Sequence, residues 1–238
     1  MFRKIIISCI VVFVFTSFVL ANRRYVIDTP TTNVLNYGSY NIWVRCFSEG
    51  NVISKLEVGV FKFLDIGMSL ELDKFIGDKK VIKAAVPALD IKLRLYGGSM
   101  TIPAIAVGYD GQGYFINSKN SYRQKEKGLY FVTGREFFID GLMLNIGINI
   151  NDFSKTKVCG FINAMIPVYK ELIYFMTEYD NINYSHDARL NCGLKFVLTD
   201  YIDVSCIIRG CWCVNVNEIS GTRIQNERVF KVNYSGKF

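Results

Sequence analysis

The one histidine of this chain, His186, stands in the run Tyr184, Ser185, His186, Asp187, which spells the members of a nucleophile, base and acid set. In such sets the imidazole takes the serine proton and the carboxylate orients the ring, so the three groups converge from separate elements. Four adjacent positions do not provide that geometry, and the tetrad reads as a polar surface turn. Cys211 and Cys213 flank Trp212 in the manner of half a zinc site, but no second pair and no suitably spaced histidine complete it. Gly108, Gly111 and Gly113 resemble a phosphate-binding loop, yet no helical pattern follows to supply the amide cradle. Glu71 and Asp90 are the type of carboxylate pair that cleaves glycosidic bonds, and nothing singles them out. No catalytic, metal-binding or cofactor-binding residue is assigned.

The polar residues sit instead in segments of strict period two, the signature of strands with unlike faces. Leu89, Ile91, Leu93 and Leu95 alternate with Asp90, Lys92 and Arg94; Leu142 to Ile150 alternates with Asn145, Gly147 and Asn149. Strands are also placed at 40–46, 56–60, 66–72, 158–166, 188–196 and 202–208, with a less regular one at 129–134 and two of ambiguous facing, 172–179 and 101–109, the latter apolar on both faces with a bulge or strand end at Pro103. The last twelve residues, from Glu227, form the clearest strand: Phe230, Val232, Tyr234 and Phe238 share one face, Gly236 is its one gap, and Lys231, Asn233, Ser235 and Lys237 share the other.

A strand with lysines opposite an apolar stripe needs water on one face, and twelve such strands predict an all-β fold, an antiparallel up-and-down transmembrane β-barrel with lipid outside and a polar lumen inside. Far-side connections at 47–52, 73–86, 110–127, 151–157, 180–187 and 210–228 are expected to be long, and near-side ones at 63–65, 96–100, 135–140, 167–171 and 199–200 short. Aromatics Phe61, Phe63, Tyr96, Phe137, Phe138, Tyr169, Tyr201 and Phe238 cluster by the near-side turns, as an interfacial girdle would. The residues predicted to line the lumen are Arg45, Glu71, Asp90, Lys92, Arg94, Asn145, Asn149, Arg189, Lys195, Asp203 and Lys231. Bases outnumber acids in that set, which predicts a mild anion preference for any open path.

At the N-terminus, Arg3 and Lys4 precede an apolar run from Ile5 to Leu20 that ends at Ala21, the layout of a cleaved secretory signal peptide. The expected organisation is therefore residues 1–21 as signal peptide, 22–36 as a periplasmic N-terminal segment and 37–238 as the barrel. Loss of Arg3 and Lys4 from the 28 basic side chains leaves 26 against 21 acidic. No basic patch interleaved with aromatics marks a nucleic-acid surface. The six cysteines after Ala21 lack a disulfide-framework spacing, and several occupy apolar strand positions, so they read as small hydrophobes.

Residues 37–238 resemble a bacterial outer-membrane β-barrel. The middle, from Pro87 to Leu95, Ile102 to Gly113, Tyr114 to Lys119 and Gly128 to Gly134, is similar to the YjbH-type barrels associated with exopolysaccharide production. Phe230, Val232, Tyr234, Gly236 and Phe238 resemble the C-terminal signal read by the barrel-assembly machinery. The resemblance implies a cell outer-membrane location, outer-membrane lipid and the assembly machinery as partners, and polysaccharide or small solutes as cargo. A passive channel or export conduit is the leading expectation. A plugged structural or binding barrel with ligand-binding external loops comes second, and an outer-membrane hydrolase last.

Overall fold

A computed structural model describes residues 24–77, 83–116, 121–124, 127–137, 141–150, 157–183, 188–213 and 226–238. The expected signal peptide, His186 with its neighbours and Phe138 lie outside these. Twelve long strands follow one another: β1 Ser39–Phe47, β2 Asn51–Phe61, β3 Leu64–Asp73, β4 Ala88–Tyr96, β5 Ala104–Asp110, β6 Gly128–Glu136, β7 Met143–Ile150, β8 Val158–Tyr169, β9 Ile173–Asp180, β10 Arg189–Val197, β11 Ile202–Cys213 and β12 Glu227–Lys237. Each pairs antiparallel with its chain neighbours. The last pairs with the first in the register Ser39 opposite Lys237 through Cys46 opposite Phe230, closing the sheet into a barrel. A two-residue strand, Lys83–Ala84, adds to β3, and Tyr114–Ile116 pairs with Ser121–Gln124 in the connection after β5.

Every strand predicted from period two is present. The facing follows from the pleat: in β7, Met143, Asn145, Gly147 and Asn149 are buried while Leu144, Ile146 and Ile148 are exposed. In β12, Phe230, Val232, Tyr234 and Phe238 are likewise exposed. The outward face is an apolar belt that also carries Ile42, Leu56, Ile66, Leu89, Leu129, Phe131, Ile162, Leu194 and Ile208. Phe61, Phe63, Tyr96, Phe137, Tyr169, Tyr201 and Phe238 are exposed at the rim where β1 begins and β12 ends. Gly236 lies opposite Tyr40, and a Cβ there would come within 2.4 Å of the tyrosine hydroxyl. The missing side chain lets the Tyr40 ring lie along the strand against Phe238, with centroids 5.0 Å apart.

Two expectations need correction. The first far-side connection is only the single turn Ser48–Gly50, so the alternation of long and short connections is not complete. More consequentially, the N-terminal segment does not stand apart from the barrel: residues 24–32 and Leu35 are buried, and Asn36 is the first exposed position among the described residues. The chain enters where the Asn36 carbonyl accepts from Ser39 N, and it turns back inside the lumen as a hairpin. Val26 N donates to the Thr29 carbonyl and Thr31 N to the Arg24 carbonyl. Twelve strands enclose more room than their inward side chains fill, and a short segment with both apolar and charged side chains fits that space.

Candidate functional site

The hairpin of residues 24–35 plugs the lumen, and three groups of polar contacts at Arg24, Glu178 and Asp28 are central to holding this plug. The first joins Arg24 to β2, β3 and β4. Its Nη1 is 2.5 Å from Glu57 Oε1, its Nε 2.8 Å from Asp65 Oδ2 and its Nη2 3.8 Å from Asp90 Oδ2. Lys55 stands on the other side of Asp90, at 2.5 Å, and reaches Asp110 at 3.1 Å. Tyr25 donates its hydroxyl to Asp90, and the Lys92 ammonium donates to the carbonyls of Arg24 and Asn33 at 2.8 and 3.3 Å.

The second group is centred on Glu178 of β9. One oxygen accepts from the backbone amides of Ile27, Asp28 and Thr29 at 3.2, 3.0 and 2.9 Å and from the Thr29 hydroxyl at 2.6 Å. The other accepts from Asp28 N and Asn191 Nδ2. Successive amides that converge on a carboxylate act as a small anion nest, here built by the plug to hold a side chain of the wall. The third group surrounds Asp28, whose carboxylate accepts from Arg45 at 2.7 Å and Arg209 at 3.4 Å; Arg45 also donates to the Ile27 carbonyl, and Arg209 to Glu227. Between these polar groups Val26 and Ile27 pack into an apolar cluster with Trp43, Phe47, Ile53, Met143, Met165, Tyr174, Met176, Ile207 and Val229.

Of the residues predicted for the lumen, Arg45, Asp90 and Lys92 touch the plug, as does Asn145, whose Oδ1 accepts from Thr32 N and whose amide donates to Asn163. Lys195 pairs with Asp203 at 3.1 Å, and Lys231 lies over the Trp43 ring at 5.1 Å. Asn149 donates to the Lys127 carbonyl, Arg189 lies 3.9 Å from Asp180, and Glu71 is buried on the inward face of β3. Arg94 does not join the network; it reaches the Lys62 carbonyl at the near-side turn.

Sequence reasoning missed Arg24, Asp28 and Thr29 entirely, together with the wall residues Lys55, Glu57, Asp65, Asp110, Lys127, Glu178, Asp180, Arg209 and Glu227. These acids overturn the charge argument: with Glu57, Asp65, Asp110, Glu178, Asp180 and Glu227 also buried, bases do not dominate the lumen.

No family model matches the chain, and no curated protein matches it. Among solved structures, a chain described as a NanC porin in a rhombohedral crystal form superposes with a TM-score of 0.43 at 9% identity, over 84% of this chain and 99% of that one.

Proposed function

We propose that the chain is an outer-membrane conduit whose resting state is closed by its own N-terminal segment. The observation that carries this reading is the burial of residues 24–32 inside a closed antiparallel barrel, where they contact β1, β2, β3, β4, β7, β8, β9 and β11. The membrane location is supported by the ring closure, which pairs each of the twelve long strands on both sides, together with the outward apolar belt and the aromatics at one rim. The polysaccharide association implied by resemblance is not carried into this reading, since among the described residues none in the lumen singles out a sugar chain. A barrel with no transport role is the second reading, favoured by the number of contacts that hold the plug.

Planar-bilayer recordings test the proposal. The full chain is expected to be closed for most of the time, and a variant lacking residues 24–34 to show steady conductance steps. Equal conductance of the two proteins refutes closure by the segment, and silence of the deletion variant refutes a conduit. Fractionation supplies the location: recovery with soluble periplasmic proteins would end the membrane reading.

A further inference from the structure

The carboxylates that grip Arg24 have the form of a ligand site. Glu57, Asp65 and Asp90 come from three adjacent strands, and the register places Gly67 directly between Glu57 and Asp90. A Cβ on Gly67 would stand 2.8 Å from the Leu56 carbonyl oxygen and 3.0 Å from Glu57 Cγ, so the floor between the two acids must stay open. Into this cradle the planar guanidinium of the lumenal hairpin, which is no part of the barrel wall, has been inserted, with separate nitrogens on separate carboxylates, the pattern that suits a guanidinium better than an ammonium.

The charge balance points the same way. Glu57, Asp65, Asp90 and Asp110 are buried with Lys55 and Lys92, so withdrawal of Arg24 leaves four carboxylates facing two ammonium groups. With the plug withdrawn the cradle carries a net negative charge in fixed geometry, and it therefore attracts a cation of the same shape. We infer that Glu57, Asp65 and Asp90 form a guanidinium-binding site in the lumen, with Arg24 as its tethered occupant and a small solute bearing an alkylguanidinium group as the free ligand. The inference rests on the plugged-conduit reading only for access: when the plug withdraws, the site faces the path and favours cations.

Methylguanidinium is the probe and methylammonium its control. In the variant lacking residues 24–34, methylguanidinium is expected to interrupt the potassium current at concentrations where methylammonium has little effect, and Glu57→Gln with Asp65→Asn to abolish the difference. Equal block by the two cations, or block that survives the double substitution, overturns the site while leaving the conduit intact. Should the deletion variant carry no current, the conduit reading fails and binding is read on the full chain. There, methylguanidinium is expected to raise the temperature at which folded Arg24→Ala converts to its unfolded gel band, with no shift for the unsubstituted protein. Absence of that rise overturns the inference independently.

Discussion

Replacing Glu178 by Gln changes the plug without changing the size of the side chain. The plug-side oxygen accepts four donors, three amides and the Thr29 hydroxyl, and all four bonds are strengthened by its charge. Bonds to a charged acceptor are stronger than neutral ones by about 1 kcal/mol each. The glutamine oxygen keeps the plug side, which puts its amide against Asn191 Nδ2 and Asp28 N, both donors. Asn191 cannot flip to relieve this without losing the bond from Gly210 N to its own oxygen. Relief from burying a carboxylate offsets part of the loss. A net penalty of about 2 kcal/mol on the plugged state is expected, roughly 30-fold in its equilibrium with the withdrawn state. Hydrogen exchange reads this directly, because amides 27–29 exchange only when the hairpin leaves Glu178. Glu178→Gln should speed exchange in a peptide covering 26–31 by roughly 30-fold and leave the β1–β12 seam unchanged. Unchanged exchange at 27–29, or equal acceleration in the seam, would refute the role given to Glu178.

Ile146, exposed on the outward face, should tolerate arginine poorly: about 2 to 4 kcal/mol if it lies near the bilayer midplane, read as a lower unfolding midpoint. Asn145→Arg should leave the outer belt intact yet displace Thr32, raising conductance in bilayers; no change in gating would count against the contact. Gly147→Ala places a methyl 2.3 Å from the Phe161 ring and 2.6 Å from the Phe131 carbonyl oxygen, an overpacking worth about 1 to 3 kcal/mol. Adding Phe161→Leu should recover part of that loss in denaturant titrations, and failure to do so would mean that the backbone contact dominates. Deleting Phe238 removes the ring packed against Tyr40 and the bond from its amide to the Gly38 carbonyl, so folded barrel should fall while export continues, measured by the heat-modifiable band in membranes.

The wall was legible because a barrel strand has one outward apolar face and one lumen face, and alternation in segments such as β4 and β7 records that difference residue by residue. Legibility failed where both faces carry apolar side chains. In β9, inward Tyr174 and Met176 alternate with outward Ile173, Phe175 and Tyr179, so nothing in the pattern marks Glu178 and Asp180 as inward. The plug was invisible for a different reason. Residues 24–35 have no periodicity of their own, because they touch several strands through backbone amides and carbonyls as well as side chains, and amides carry no sequence signal. The error in net lumen charge followed from both gaps, since the overlooked acids are the partners of the bases that were recognised.

The two kinds of contact that hold the plug have different consequences. Ion pairs such as Arg24 with Glu57 and Asp65 replace hydration that the same groups would regain in a wet lumen, so their net contribution to closure is small, although losing one partner is costly. Burial of Val26 and Ile27 against Trp43, Phe47 and Met176 has no such compensation, because a water-filled lumen would expose those surfaces. The apolar cluster therefore supplies the affinity of the plug, while the charged groups fix its position and its orientation. Neutralising Arg24 should consequently loosen the register of the hairpin at β2 to β4 more than it opens the barrel, whereas a polar residue at Ile27 should favour withdrawal outright. In the proposed conduit, opening therefore requires a force or ligand that draws Val26 and Ile27 out of the apolar cluster.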